Sequence, residues 1–373
     1  MRFSILERLR ALDPVLIGLA GVLLVFGLVM LADVTNVVSF QRTGDSLYLF
    51  KRQIQLGVLP GIFGFFFFAI IDYRTWKKFA GFALVLSFAL LISVYIPGIG
   101  LKVGGSQSWV TFAGFRFQPS ELVKLSFLIY LAAWLAERKP EALRDVHEGL
   151  IPFLATVGSI VFLLVIQPDT GSTAVIAGTA GLLFLLAGAP VTWFVGMVGL
   201  GFGGLWMLIK TSPYRLARFT TFLHPELDPK GVGYQINQAI LAVATGGWFG
   251  VGFGKSRQKF LYLPEVEADS IFAIIAEELG LIVTMMFLTV FAALVWRCFV
   301  ISRDSKDRFG AFLAAGVGIW LSIQACLNIG SMVGLVPITG VTLPFVSHGG
   351  TSLAILLSAI GLVAGIPRHS QRV

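Results

Sequence analysis

The sequence predicts an all-α polytopic membrane protein with ten transmembrane helices, both termini cytoplasmic, and one long extracytoplasmic loop. Three observations carry that reading. Of the 373 residues, 56% are hydrophobic and 13% charged, against about 45–50% and about 25% in soluble domains. The mean hydropathy is +0.86. Apolar runs of about 17–25 residues, enough to cross a bilayer, recur along most of the chain. The 33 Phe and 42 Gly agree, because aromatic rings fill lipid-facing surface and glycine lets helices approach closely.

The spans are read at about 14–32, 53–71, 79–96, 120–136, 150–166, 173–188, 191–209, 270–296, 309–334 and 350–366. The sixth and seventh are separated only by the tight turn Gly188-Ala189-Pro190. The first follows Arg2, Arg8 and Arg10 without a small-x-small cleavage site, so it reads as a retained signal anchor. An even count puts both termini on one side, and charge decides which. With a cytoplasmic N-terminus, the cytoplasmic segments hold those three arginines, then Arg74, Lys77 and Lys78, then Arg138, Lys139 and Arg144. Arg297, Arg303, Lys306 and Arg308 follow, and finally Arg368 and Arg372. The short outer loops hold only Arg42, Lys102 and Arg116, with Lys51 and Arg52 at a helix edge, as the positive-inside rule requires. The net charge of +8 therefore reads as topology before nucleic-acid binding.

The chain 1–373 is read as a single transmembrane domain. Segment 210–269 is its long outer loop, between the seventh and eighth spans, and is too short for a core of its own. The middle of that loop, Gly233 to Thr245, is mildly amphipathic and predicts a helix. Gly246-Gly-Trp-Phe-Gly-Val-Gly-Phe-Gly254 follows, with five glycines in nine residues, a mobile or tightly folded backbone. Cys298 and Cys326 lie in or beside apolar helices without metal-ligand spacing. His147, His224, His348 and His369 are scattered and form no zinc pattern.

Charge is scarce, so its concentrations carry the chemistry. Glu265, Glu267, Asp269, Glu277 and Glu278 cluster where the long loop enters an apolar helix. Asp269 is read either as a helix cap, a role Ser270 could also fill, or as a carboxylate that takes a proton, binds a cation or relays protons. Glu277 and Glu278 sit about two turns into the helix, where charge is expensive; helical geometry turns them about 100° apart. In Gln118-Pro-Ser-Glu-Leu-Val-Lys124, Glu121 and Lys124 share a helix face. They are either a structural ion pair or, with Arg116 nearby, part of an anion site. Asp169 in Gln167-Pro-Asp-Thr-Gly-Ser172 either caps the next helix or faces a shared cavity. Lys255-Ser-Arg-Gln-Lys259 suits a phosphate beside flexible N–H groups or an anionic lipid surface. Thr339-Gly-Val-Thr-Leu-Pro-Phe-Val-Ser-His-Gly-Gly-Thr-Ser352 predicts a broken or re-entrant segment, where Ser347 and Thr351 can hydrogen-bond a sugar or diphosphate.

Taken together these motifs resemble the family of shape, elongation, division and sporulation polytopic proteins. The matching runs are Gln118-Pro-Ser-Glu…Lys124, Gln167-Pro-Asp…Gly171, Gly233-Tyr-Gln…Gln238, Ser256…Lys259-Phe-Leu-Tyr-Leu-Pro-Glu265, Asp269…Glu277-Glu-Leu-Gly280 and Leu343-Pro-Phe-Val-Ser347…Gly349-Gly, in the same order over nearly the whole chain. The Ser256-to-Glu265 stretch looks closer to the division (FtsW-like) branch than to the elongation (RodA-like) branch. The chain departs from the family pattern at Ala268-Asp-Ser270, Ser108-Trp109 and Ser347-His-Gly-Gly350.

The resemblance implies a peptidoglycan glycosyltransferase that polymerises lipid II, an undecaprenyl-diphosphate-linked substrate, in the bacterial cytoplasmic membrane. It implies a class B penicillin-binding protein as transpeptidase partner and no nucleic acid. Its essential acid falls on Asp269, the expected general base. Substrate-binding candidates are Lys124, Glu121, Arg116, Gln118, Asp169, Arg257, Lys259 and Ser347, with Lys124, Arg257 and Lys259 as diphosphate partners. No cofactor is required outright, although Mg²⁺ or Mn²⁺ can assist a departing diphosphate and Asp269 can serve as a metal ligand. Two other classes stay open: a lipid II flippase, against which the acids lie near the outer face and not the midplane, and a non-catalytic scaffold for the transpeptidase.

Overall fold

The computed structural model describes residues 11–367, apart from 104–105, 113, 212 and 229–230. Arg2, Arg8, Arg10, Arg368, Arg372 and His369 lie outside the described residues, as does the side chain of Lys102. Helices answer all ten spans: α1 (Pro14–Val34), α2 (Tyr48–Ile70), α3 (Ala80–Ser93), α4 (Pro119–Glu137), α5 (Val146–Ile166), α6 (Thr170–Leu186) and α7 (Val191–Thr211). After α8 (Val232–Gly246), the helix expected within the long loop, come α9 (Ile271–Asp304), α10 (Arg308–Met332) and α11 (Gly350–Ala364). Six of the spans are long and apolar enough to cross a membrane on their own; four are shorter apolar stretches.

Local chemistry explains the boundaries. Asp13 caps α1, accepting the Leu16 N–H at 2.8 Å with Pro14 at the first helical position. Asp307 caps α10 through the Gly310 N–H at 2.9 Å. Turns of π-helix open the runs Ile54–Val58 in α2 and Val146–Leu150 in α5. Each stands just ahead of a proline, Pro60 and Pro152, whose missing N–H removes a rung of the α-ladder.

One element is absent from the all-helical reading. β1 (Gly100–Val103), β2 (Ser106–Phe112) and β3 (Phe115–Phe117) form an antiparallel sheet in the order β1-β2-β3 between α3 and α4. The run Trp109-Val-Thr-Phe112 and the run Phe115-Arg-Phe117 have the aromatic and β-branched residues of strands, but each is too short to stand out among apolar spans.

α4 and α10 are the central helices: 72% of their membrane-crossing windows are buried, against 28–33% for the other four long spans. Around them helices touch backbone to backbone. A Cβ on Gly361 of α11 would lie 2.3 Å from the Phe65 carbonyl oxygen of α2, and one on Gly27 of α1 would lie 2.2 Å from that of Phe345. Small residues at such crossings are how helices associate in lipid.

The connections predicted to share the cytoplasmic side meet at one end of the bundle. Arg297 pairs with Asp13 at 2.6 Å, Arg74 with Asp307 at 3.5 Å, and Lys77 with Glu137 at 3.4 Å. The Tyr73 hydroxyl donates to Asp307, Arg308 to the Arg138 carbonyl, and the Asp13 N–H to the Ala364 carbonyl.

At the opposite end the chain breaks its own helix. Gly280 in α9 has φ 73° and ψ 178°, a region open essentially to glycine alone. The carbonyls of Glu277 and Glu278 accept the N–H groups of Val251 (2.9 Å) and Gly252 (3.0 Å). The N–H groups of Leu281 and Ile282 donate to the carbonyls of Gly247 (2.9 Å) and Trp248 (3.2 Å). The glycine-rich run thus replaces the missing rungs, which is the condition for irregular backbone within a membrane bundle. The break expected at 339–352 is a second irregular stretch: residues 333–349 are non-helical, with Leu343, Phe345, Val346 and Ser347 buried.

Replacing Gly280 by alanine should destabilise the fold by at least the roughly 1–3 kcal/mol of a strained backbone position, because the added Cβ also lies 2.2 Å from the Gly250 nitrogen. The measurement is thermal melting of the detergent-solubilised chain. Gly81→Ala, whose Cβ meets nothing within 4 Å, should melt with the parent.

Candidate active site

Of the carboxylates around the start of α9, Glu267, Glu277 and Glu278 have internal partners, Glu265 is exposed, and Asp269 is buried without a cation. Glu277 and Glu278 both face the loop, because the break at Gly280 brings that loop alongside the helix. Glu277 accepts from the Ser256 hydroxyl at 2.5 Å and the Arg257 N–H at 3.1 Å. Glu278 accepts the N–H groups of Gly254 (3.1 Å) and Ser256 (3.0 Å) and the Lys259 ammonium at 2.9 Å. Their expected divergence around the helix does not separate their roles: both carboxylates staple residues 254–259 to α9.

Lys259, read as a diphosphate partner, is committed elsewhere. Its side chain is 4% exposed and lies between Glu278 and Asp33 of α1, with both Asp33 oxygens within 2.9 Å. Two carboxylates already neutralise it, which leaves no net positive charge for a substrate.

Lys124 is corrected for the same reason. Its ammonium is 2.8 Å from Glu121 and 3.0 Å from the Gln324 side-chain oxygen, and it lies over the Trp320 ring. Lys124 and Glu121 are 2% and 8% exposed. This is the structural ion pair of the two readings.

Asp169 caps α6 through the Ser172 N–H at 3.0 Å and accepts from Gln118 (3.1 Å) and Ser120 (2.8 Å). Gln118 and Asp169 thus tie α4 to α6. Ser347 closes a turn, its hydroxyl accepting the Leu343 N–H at 2.8 Å. Among the predicted cations, Arg116 and Arg257 are exposed.

Asp269 differs from all of these. Ser270 stands at the cap position of α9 without a capping bond, and the Asp269 carboxylate takes no helix N–H, so the capping reading falls. The residue is 6% exposed. Its Oδ1 receives a long bond from Gln235 Nε2 at 3.3 Å and one from the Ser270 hydroxyl at 3.5 Å. Its backbone carbonyl accepts from Asn328 Nδ2 at 2.9 Å, and the same amide donates to the Val341 carbonyl at 2.7 Å. Among the described residues no cation pairs with it. Burial, and then the neighbouring Glu265 carboxylate, push its pKa up to about 7, with Gln235 and Ser270 pulling the other way.

Two hollows lie elsewhere in the bundle. A groove of about 520 Å³ runs between α3 and α5, lined by Phe88, Ile92, Gly158 and Phe162. A small void of about 10 Å³ lies beside Lys124 and Trp320. Asp269 lines neither. Segment 341–348 covers it, held by Asn328 and by the His348 N–H, which donates to the Glu267 carbonyl at 2.7 Å. Among the described residues, no three His, Cys, Asp or Glu side chains come together to hold a metal ion.

A family model described as "Cell cycle protein", covering FtsW, RodA and SpoVE, matches residues 14–372. The chain belongs to the FtsW/RodA/SpoVE family. It is 39% identical over 359 residues to stage V sporulation protein E of Bacillus subtilis, covering 96% of this chain and 98% of that protein. It is 39% identical over 355 residues to a probable peptidoglycan glycosyltransferase FtsW of Thioalkalivibrio sulfidiphilus, covering 93% and 87%. Among solved structures it superimposes with a TM-score of 0.79, at 25% identity over 97% of this chain and 99% of the other, on a chain from a study of polymerization and crosslinking by a peptidoglycan synthase complex. The multi-pass helical fold is therefore that of the family.

Several polar residues around this FtsW/RodA/SpoVE-type site went unassigned from sequence: Asp33, Arg42, Gln53, Gln235, Gln324 and Asn328. Asn328 and Gln324 did leave a signal, two amides one turn apart in an otherwise apolar span, where polar groups are costly and need partners. Asp33 left one too, as an acid at the end of the first span.

Removing the Lys259 charge should be severe. Lys259→Met leaves Asp33 and Glu278 buried without their cation, a loss of about 3–5 kcal/mol. Adding Glu278→Gln should recover part of it. Denaturant or thermal unfolding of the two variants checks the sign of that recovery.

Proposed function

We propose that this chain is a peptidoglycan glycosyltransferase that polymerises lipid II, with Asp269 as general base, in the division-type branch of its family. One observation carries the assignment of the base: Asp269 is the buried acid without a cation, a cap or a strong hydrogen bond, its pKa near 7. A base tuned close to working pH is the most effective at moving a proton. The relatives named probable peptidoglycan glycosyltransferase FtsW support the activity and the branch.

The step balances simply. A sugar C4 hydroxyl attacks the anomeric carbon of a second, lipid-linked sugar. The new C–O bond forms as the anomeric C–O bond to the diphosphate breaks, the diphosphate leaves with the electron pair, and the hydroxyl proton passes to Asp269. A single displacement inverts an α-linked donor to a β-linked product. Gln235 and Asn328 hold the acid's side chain and backbone from two helices, so its oxygens are pre-oriented. Charge grows on the leaving diphosphate and calls for cations; of those predicted, Arg257 and Arg116 are exposed. Among the described residues no three donor side chains converge, so a Mg²⁺ or Mn²⁺ would be shared between one or two carboxylates, Asp269 the first of them, and the diphosphate itself. A class B penicillin-binding protein is the partner this reading implies. The neighbouring synthase-complex structure, whose subject is polymerization together with crosslinking, supports it. The flippase reading is disfavoured because Asp269 lies in the loop ahead of α9 and not at the middle of a span.

Purified chain given labelled lipid II should make glycan strands in detergent, and Asp269→Asn should make none. A base must be ionised to act, so the rate should fall about ten-fold per pH unit below pH 7 and level off above it, following the value of about 7 for Asp269. Strand synthesis by Asp269→Asn, or lipid movement between leaflets without polymer, would refute the assignment.

A further inference from the structure

The structural commitments of Lys124 and Lys259 leave the question of what receives a diphosphate near Asp269. The α1–α2 connection supplies an answer that the motifs do not. Arg42 Nη1 lies 2.8 Å from Glu267 Oε1, two residues before Asp269, while the Arg42 side chain is 58% exposed and that of Glu267 8%. One of five guanidinium donors is thereby used, and the mostly exposed side chain leaves the others without a protein partner among the described residues.

Arg52 stands on α2 one residue before Gln53. Gln53 is 1% exposed and grips both sides of His348: its Nε2 donates to the Ser347 carbonyl at 3.3 Å, and its Oε1 accepts the Gly349 N–H at 3.0 Å. His348 is thus fixed in the electrostatic field of Glu267, Arg52 and Arg42. Within the described residues, Arg52 makes one long bond, 3.4 Å to the Tyr48 hydroxyl.

Two buried atoms in this cluster have no partner among the described residues: Glu267 Oε2 and His348 Nε2. Leaving a buried carboxylate oxygen or ring nitrogen unbonded costs about 1–3 kcal/mol, more for a charged group. A hydroxyl can pair with either atom, donating to the carboxylate or exchanging a hydrogen bond with the ring. Burial holds the His348 pKa down, to about 4, so the ring is neutral at working pH and acts as a hydrogen-bonding group, not as a charge.

We propose that Arg42, Arg52, Glu267 and His348 form a sugar–diphosphate subsite in the loop cluster beside Asp269, the arginines taking the diphosphate and Glu267 or His348 a hydroxyl of the adjoining sugar. The assignment rests on the glycosyltransferase reading and names the residues that hold its substrate's head. Arginine suits the role because its planar fork matches phosphate oxygens in pairs.

The test uses the full chain in nanodiscs and two probes with the same tail, farnesyl diphosphate and farnesyl diphosphate bearing one N-acetylated sugar. Arg42→Gln and Arg52→Gln should each weaken both probes about ten-fold or more, the value of a charge-assisted hydrogen bond. Arg52→Lys should recover part of the loss. His348→Phe should weaken the sugar-bearing probe alone. Asp269→Asn should bind both probes as the parent does, since the base is not a diphosphate ligand. Arg52 has the fewest internal bonds to lose, so Arg52→Gln decides the matter should Arg42→Gln fold poorly. Parent-like binding of both probes by Arg52→Gln and His348→Phe would overturn the subsite while leaving Asp269 as base. A parent chain that makes no polymer from lipid II overturns the glycosyltransferase reading instead.

Discussion

The hold of Glu277 and Glu278 on the loop before them organises the reactive end of this protein. Two adjacent carboxylates inside a membrane-spanning helix are costly. They are tolerated because each accepts a short hydrogen bond or an ion pair from residues 254–259. That hold requires the loop to reach the helix side, which requires the break at Gly280 and the glycines that fill it. Once the loop is stapled there, the remaining residues from Phe260 to Ser270 have little freedom, and Asp269 arrives at a fixed place beside Gln235 and Asn328. The constraint is one of polar satisfaction: no charge or backbone group at this depth can be left to water.

A second set of contacts ties the covering segment to the same place. Gln324 and Asn328 lie one turn apart on the central helix α10. Gln324 accepts from Lys124 and Trp320 and donates to the Thr342 carbonyl at 3.0 Å. Asn328 bridges Val341 to Asp269. The Glu121–Lys124 pair is therefore coupled to the acid through two amides, Gln324 and Asn328, and two residues of irregular backbone, Val341 and Thr342. Such a network resists small displacements, because each bond broken leaves a buried group unpaired. The irregular segment 341–349 is thereby held by hydrogen bonds from α2, from α10 and from Glu267 in the loop ahead of α9.

A helix answers each of the ten apolar runs because hydropathy marks where such runs lie, and the described basic connections gather at one end. The motif around Asp269 drew attention to it as an acid at a helix entry. Partnership was harder to read. Lys259 and Lys124 look like anion ligands in a linear sequence, because nothing local shows that Asp33, 226 residues away, or Gln324, 200 residues away, comes to meet them. Asp269 looked equally like a cap, since a cap is defined by the backbone that follows and not by residue type. The sheet between α3 and α4 escaped because runs of three to seven residues carry too little period-2 signal beside long apolar helices. Gln235 and Asn328 escaped because an amide has no chemistry of its own; its importance lies in what it holds.

The division of labour between lysine and arginine follows from the same physics. An ammonium is a compact charge that two or three oxygens can saturate from inside the protein, and both buried lysines are saturated in that way. A guanidinium has more donors than one carboxylate can use. Arg42, although bonded to Glu267, keeps most of its donors without a protein partner among the described residues. Placing lysines within the frame and arginines beside it lets one set of cations hold the loop while the other stays open to an anion. Glu267 then has a role that its lone ion pair does not explain. It pairs with Arg42 through one oxygen and leaves the other without a partner among the described residues, which is the atom the proposed subsite offers to a hydroxyl.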